Sequence, residues 1–100
     1  MDNKIIVVCD ADLDDIIPDY LESKREECGQ LRELARQGNF GEVRSMAHGM
    51  KGSGGCYGFP VVSEIGRDME AAAKNASLED VLAQVAALEH YLGKVEVRYE

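Results

Sequence analysis

The apolar positions change rhythm several times along the chain. The first group is a short run from Lys4 to Cys9 (K-I-I-V-V-C), too brief to separate a strand from a helical turn. A single strand with no obvious partner is marginal, so the run reads as an extended arm or first turn capping one end of the fold. From Asp12 onward the spacing is helical: Ile17, Tyr20, Leu21, Cys28, Leu31, Leu34 and Ala35 recur at intervals that fit one helix face. Gln37-Gly38-Asn39 ends that helix, with Gly38 as a left-handed cap. Asn39 then stands three residues before Glu42, in the spacing of a capping box.

The second helix buries Val43, Met46, Ala47, Met50 and Gly54, and Gly58-Phe59-Pro60 breaks it. Pro60 suits the first turn of a third helix, whose inward stripe is Val61, Ile65, Met69, Ala72 and Ala73. Asn75-Ala76-Ser77 makes the next turn, with Ser77 and Asp80 in capping spacing. Leu78, Val81, Leu82, Val85, Leu88, Leu92 and Val95 form the stripe of the last helix. The pattern predicts an all-α fold: an antiparallel up-down four-helix bundle with a short N-terminal arm or helix, in a single domain over residues 1–100. Tyr57 and Phe59 read as core packing at a helix end.

Composition narrows the function classes. A hydrophobic fraction of 45% over 100 residues fits one modest core. No apolar run approaches the roughly 20 residues that span a bilayer, and no signal-peptide pattern is present. A cytoplasmic protein with no membrane attachment is expected. The net charge of −8 repels phosphate backbones, so nucleic acid is not an expected partner. Cys9, Cys28 and Cys56 are widely spaced and odd in number, which favours reduced thiols over disulfides or a zinc site.

The chemistry converges on His48. A helix turns about 100° per residue, and His48 projects roughly 140° from the centre of its helix's buried stripe. It therefore faces solvent. Arg44, Lys51, Gly52 and Gly55 fall within about 60° of it on the same geometry. Gly49, Gly52, Gly54 and Gly55 crowd two turns, and each costs about 0.8–1.0 kcal/mol against alanine in a helix interior. A cost of roughly 3–4 kcal/mol is a large part of a small domain's stability, so the glycines need a compensating role. Gly54 faces inward and admits a close neighbouring helix; Gly52 and Gly55 lower the surface so that a flat partner can reach the ring.

Histidine titrates near physiological pH, so an exposed imidazole offers a neutral nucleophile. It can take up a phosphoryl group as a phosphoramidate. Lys51, one turn on, supplies positive charge for the phosphoryl oxygens, and Arg44 adds to it. Charge and positioning are most of what phosphoryl transfer asks of a protein. The plain alternative, an ordinary solvated histidine, is the reading adopted for His90, which has no comparable glycines or lysine around it. Gly49-Met50-Lys51-Gly52-Ser53 is not a P-loop, because Gly52 and not a hydroxyl residue follows Lys51. Asp10, Asp12, Asp14 and Asp15 lack EF-hand spacing and read as a solvated helix start.

The stretch Ala47-His48-Gly49-Met50-Lys51-Gly52-Ser53-Gly54-Gly55-Cys56-Tyr57-Gly58-Phe59 resembles the signature of histidine-phosphotransfer (HPt) domains, roughly A-H-x-[LM]-K-G-[SA]-[SAG]-x-x-x-G. Met69-Glu70-Ala71-Ala72 resembles the family's downstream L-E-x-A. Gly49 stands where a hydroxyl or larger polar residue is often found. The resemblance covers essentially the whole chain. It implies a four-helix bundle that accepts a phosphoryl group from a receiver-domain aspartate, of a hybrid histidine kinase or response regulator, and passes it to another receiver.

On that resemblance His48 carries the phosphoryl group on Nε2 and Lys51 neutralises it. Arg44, Gly52, Ser53 and Gly55 make the receiver-docking face. Magnesium belongs to the receiver, so no cofactor or metal is expected here. The protein is expected to act as a monomer. Nothing resembles a nucleotide-binding kinase domain, so no autonomous kinase activity is expected, and the residues leave open whether the carrier counts as an enzyme. Two other readings share the chain: an unphosphorylated adaptor that docks onto receivers, and an enzyme with His48 as general base, which needs a pocket and a second titratable group.

Overall fold

The computed structural model describes residues 3–100. The chain begins with strand β1 (Ile5–Cys9), makes a single 3-10 turn over Ala11–Leu13, and enters α1 (Ile17–Arg36). Helices α2 (Phe40–Tyr57), α3 (Pro60–Lys74) and α4 (Leu78–Lys94) follow, and β2 (Val95–Tyr99) closes the chain. Among the described residues the fold is mainly helical, with four α-helices and one small parallel strand pair.

Local sequence sets the helix limits. Pro18 sits in the first turn of α1, where a missing N–H costs nothing. Gly38 ends that helix region with φ +78°, and Asn39 caps α2 by accepting from the Glu42 N–H. Gly58, φ +89°, closes α2; Pro60 opens α3; Ser77 caps α4 through the Asp80 N–H. The acidic segment before α1 does not start the helix: the Asp10 carboxylate caps the 3-10 turn by accepting from Asp12 N–H, and α1 begins at Ile17.

The helices enclose one core. Ile17, Leu31, Val43, Met50, Phe59, Met69, Val81, Val85 and Leu88 are its fully buried centre, and burial of each such side chain stabilises the fold by about 1.5–3 kcal/mol. α1 packs on α2 and α4, and α3 packs on α2 and α4. The α2–α3 pair is the tightest. A Cβ added at Gly54 would lie 2.5 Å from the Ser63 nitrogen, and one at Gly66 2.6 Å from the Lys51 nitrogen. Glycine at these two positions is what lets the two backbones touch.

The all-α expectation needs amending at the chain ends. Lys4–Cys9 is not a loose arm: Ile5–Cys9 pairs in parallel with Val95–Tyr99, from Ile5 opposite Val95 to Cys9 opposite Tyr99. Val95 accordingly leaves the α4 stripe and starts a strand. Val7, Val95 and Val97 pack against the core from that sheet, and Cys9 is buried in it. Two stripe positions also shift. Val62 is buried and Val61 exposed, because the phase of α3 follows Ile65, Gly66 and Met69; Leu78, the first residue of α4, is exposed. The cysteines are free thiols, with Cys9 and Cys28 buried and Cys56 exposed.

Candidate functional site

His48 stands midway along α2 with its side chain 69% exposed. Its Nδ1 lies 2.9 Å from Oε2 of Glu70, which reaches across from α3. The other carboxylate oxygen, Oε1, accepts from the Lys51 ammonium at 3.2 Å. Glu70 thus bridges imidazole and ammonium from a half-buried position, its side chain 18% exposed. The close approach at Gly66 is what brings this about. Glu70 lies one turn beyond Gly66 on α3, and His48 one residue beyond the Ala47 carbonyl that also faces Gly66.

The hydrogen bonds from His48 and, secondarily, from Lys51 hold the Glu70 carboxyl below the usual carboxylate range. At neutral pH it is therefore ionised and can only accept. That fixes the tautomer of a neutral His48: Nδ1 carries the proton and donates it, leaving the lone pair on Nε2. The arrangement is an oriented nucleophile, with its free nitrogen turned from the carboxylate and a cation one helical turn away.

A shallow groove of about 300 Å³ adjoins the ring, lined by Gly41, Arg44, Ser45, His48 and Glu70. Arg44 therefore joins the His48 neighbourhood. Gly52 is exposed, and a Cβ there would meet nothing within 4 Å. No contact inside the fold calls for glycine at that point. Gly55 is also exposed, with the Ser63 hydroxyl 3.9 Å from a Cβ placed on it. Ser53 is turned away from this group: its hydroxyl lies 2.9 Å from the Tyr20 hydroxyl on α1 and 3.4 Å from the Met50 carbonyl. Tyr20 in turn packs on Tyr57 and Phe59, with ring centroids 4.7 and 6.0 Å away.

Glu70 is the residue that sequence reasoning left without a role, although it stands in the quoted Met69-Glu70-Ala71-Ala72 stretch. The available signal was a carboxylate one position beyond the inward-facing Met69, on the edge of the α3 stripe. His90 is exposed on α4, outside this cluster. Among the described residues no group of three or more His, Cys, Asp or Glu side chains is placed to hold a metal ion. No helix among them is long and apolar enough to cross a membrane.

The helical bundle thus presents an oriented imidazole on its solvent-facing surface. A model of the Hpt domain matches residues 15–97, and the chain belongs to that family. The family implies histidine phosphotransfer in a phosphorelay, and Hpt domains interact with receiver domains. No curated protein and no solved structure matches the chain.

Proposed function

We propose that His48 is the phosphoacceptor of a relay carrier, taking a phosphoryl group from the aspartate of one receiver domain and handing it to another. The observation that carries this reading is the His48–Glu70–Lys51 network, with Nδ1 tied down and the ring 69% exposed. The Nε2 lone pair attacks the phosphorus of the receiver's aspartyl phosphate. An N–P bond forms, the P–O bond to the aspartate breaks, and the carboxylate departs with the electron pair. The ring becomes a phosphoimidazolium whose Nδ1–H stays bonded to Glu70, so the carboxylate offsets the new positive charge. Lys51, and Arg44 from the groove, face the phosphoryl oxygens. The second receiver's aspartate reverses the step.

Gly52 and Gly55 supply clearance for the incoming receiver, while Ser53 supports the face from beneath through Tyr20. The same reading takes the bundle as antiparallel and up-down. In support, contacts between α2 and α3 run in opposite directions along the two helices, from Gly54 near Ser63 to His48 at Glu70. Arg25 donating to the Leu92 carbonyl and Arg32 paired with Glu89 repeat that trend between α1 and α4. We place the protein's work in the cytoplasm, where receiver domains are found, with no cofactor of its own.

Intact-mass spectrometry after mixing with a phosphorylated receiver tests the reading. The expected result is a gain of one phosphoryl group that is labile to acid and missing from His48→Gln. No gain with several receivers and with a small phosphoramidate donor would overturn it in favour of a docking adaptor.

A further inference from the structure

A two-stranded parallel sheet with one face in water is an under-built sheet: parallel ladders are ordinarily covered on both faces, and isolated pairs are marginal. Here Val7 and Cys9 turn toward the bundle, while Ile6 and Val8 are 50% and 54% exposed on the outer face. Ile5, Ile16 and Tyr99 are also exposed around this end of the molecule.

The ladder has a definite parity. Glu100 N–H donates to the Cys9 carbonyl and Ala11 N–H to the Glu100 carbonyl. Followed back along the strands, that alternation gives the odd-numbered residues of β1 to β2. The N–H and C=O of Ile6 and Val8 therefore point to the open edge.

We propose that this edge pairs with the β1 edge of a second copy of the chain, antiparallel and centred on Val7, to make a twofold dimer with one four-stranded sheet. Two independent features select this partner and register. Centring on Val7 sets Ile6 opposite Val8, so the free even-numbered groups meet in the reciprocal hydrogen-bonded pairs of an antiparallel ladder. It also sets Lys4 opposite Asp10 at both ends of the strand pair. Among the described residues neither makes a salt bridge within the chain, and Asp10 has a carboxylate oxygen beyond the one that caps Asp12 N–H. The segment K-I-I-V-V-C-D is thus complementary to itself when reversed, as a twofold interface requires. The strand pair gives a reason to depart from the monomer that the sequence suggests. His48 lies nine residues back along α2 from Tyr57, whose carbonyl contacts Cys9, so pairing leaves the histidine face open.

Sedimentation equilibrium over a range of about 1 μM to 1 mM reads the association directly. The expected result is a reversible dimer of the 11.0 kDa chain. Ile6→Pro removes an N–H on the open side and spares the β1–β2 ladder. It should raise the dissociation constant by about tenfold or more, with the helical circular dichroism unchanged. Lys4→Asp should weaken the dimer, and adding Asp10→Lys should restore it, because the reversed pair again attracts. A monomer throughout the range would overturn the proposal. So would a dimer indifferent to Ile6→Pro or to the charge reversal, or an open-ended assembly.

Discussion

Along the α2–α3 seam the helices meet backbone to backbone, whereas along the α1–α4 seam they are held apart and joined by long side chains. In the first, Gly54 and Gly66 leave no room for a Cβ, and a carboxylate on α3 can reach an imidazole on α2. In the second, Arg32 spans to Glu89 and the Arg25 guanidinium to the Leu92 carbonyl, while Gly93, beside Arg25, Cys28 and Glu89, has open space around it. His48 borders the first seam, whereas His90 is exposed on α4 and makes no side-chain hydrogen bond among the described residues. The difference between them is not exposure. The close seam lets the neighbouring helix orient the ring of His48, while His90 is left to solvent.

The largest test of that contrast is to widen the close seam. Gly66→Val places a branched side chain where even a Cβ would lie 2.6 Å from the Lys51 nitrogen and 2.9 Å from the Ala47 carbonyl. Backbone cannot swing aside as a side chain can, so the helices must separate. Overpacking of this kind costs about 1–3 kcal/mol or more, which for a domain of this size lowers Tm by roughly 4–8 °C per kcal/mol. Phosphotransfer should fall with it, as Glu70 is carried away from His48. The matched change in the wide seam, Gly93→Ala, should raise stability by about 0.5–1 kcal/mol. Thermal melts of the two variants check the pair, and equal effects would erase the distinction between the seams.

Removing the bridge without moving the helices isolates the orienting role. Glu70→Gln should lower Tm only slightly but slow transfer to His48 by about 10- to 100-fold, because a neutral amide replaces the charged hydrogen-bond partner of the ring. The carboxyl is also a pH marker. Its folded pKa is depressed, so its contribution is present above the unfolded carboxylate pKa and is lost as pH falls through the depressed value. A carbon-detected titration of Glu70 should find a midpoint below the usual carboxylate value of about 4.3, and Lys51→Ala should move it upward. A midpoint at or above that value would mean the bridge does not form in solution.

Gly52→Val addresses clearance alone. The site has empty space around it, so stability should stay within about 0.5 kcal/mol, while transfer from a receiver falls about tenfold or more because the surface beside His48 is raised. Phosphorylation by a small phosphoramidate should continue at its original rate. If receiver and small donor slow together, the glycine matters for the helix and not for docking.

Much of this was legible in the chain. The four amphipathic stripes, the caps at Asn39 and Ser77, the exposure of His48 and the inward Gly54 all follow from spacing, because each depends on neighbours within a few residues. What escaped depends on distant partners. The alternation in Val95-Glu96-Val97-Arg98-Tyr99 marks a strand, but Val95 also fits the α4 rhythm, and the partner strand lies at the opposite end of the chain. Gly66 carries no signal of its own in the sequence, since its purpose is visible only when Lys51 is beside it. Glu70 could be placed at the edge of a stripe, yet its reach to His48 follows from the interhelical distance that Gly66 sets.

The turn between α3 and α4, where one seam hands over to the other, gives the smallest effect. Ala76 has φ +50°, a left-handed conformation that costs a residue with a Cβ about 1–2 kcal/mol. Ala76→Gly removes that cost but loosens the unfolded chain, which takes back about 0.4–1 kcal/mol. The balance favours the folded state by roughly 0.5–1 kcal/mol on those two magnitudes, and a Tm a few degrees higher would show it. Because the turn carries neither seam's contacts, phosphotransfer to His48 should not change. A lower Tm would mean that the flanking bonds, from Ala76 N–H to the Ala73 carbonyl and Ser77 N–H to the Ala72 carbonyl, depend on the stiffness that alanine gives the turn.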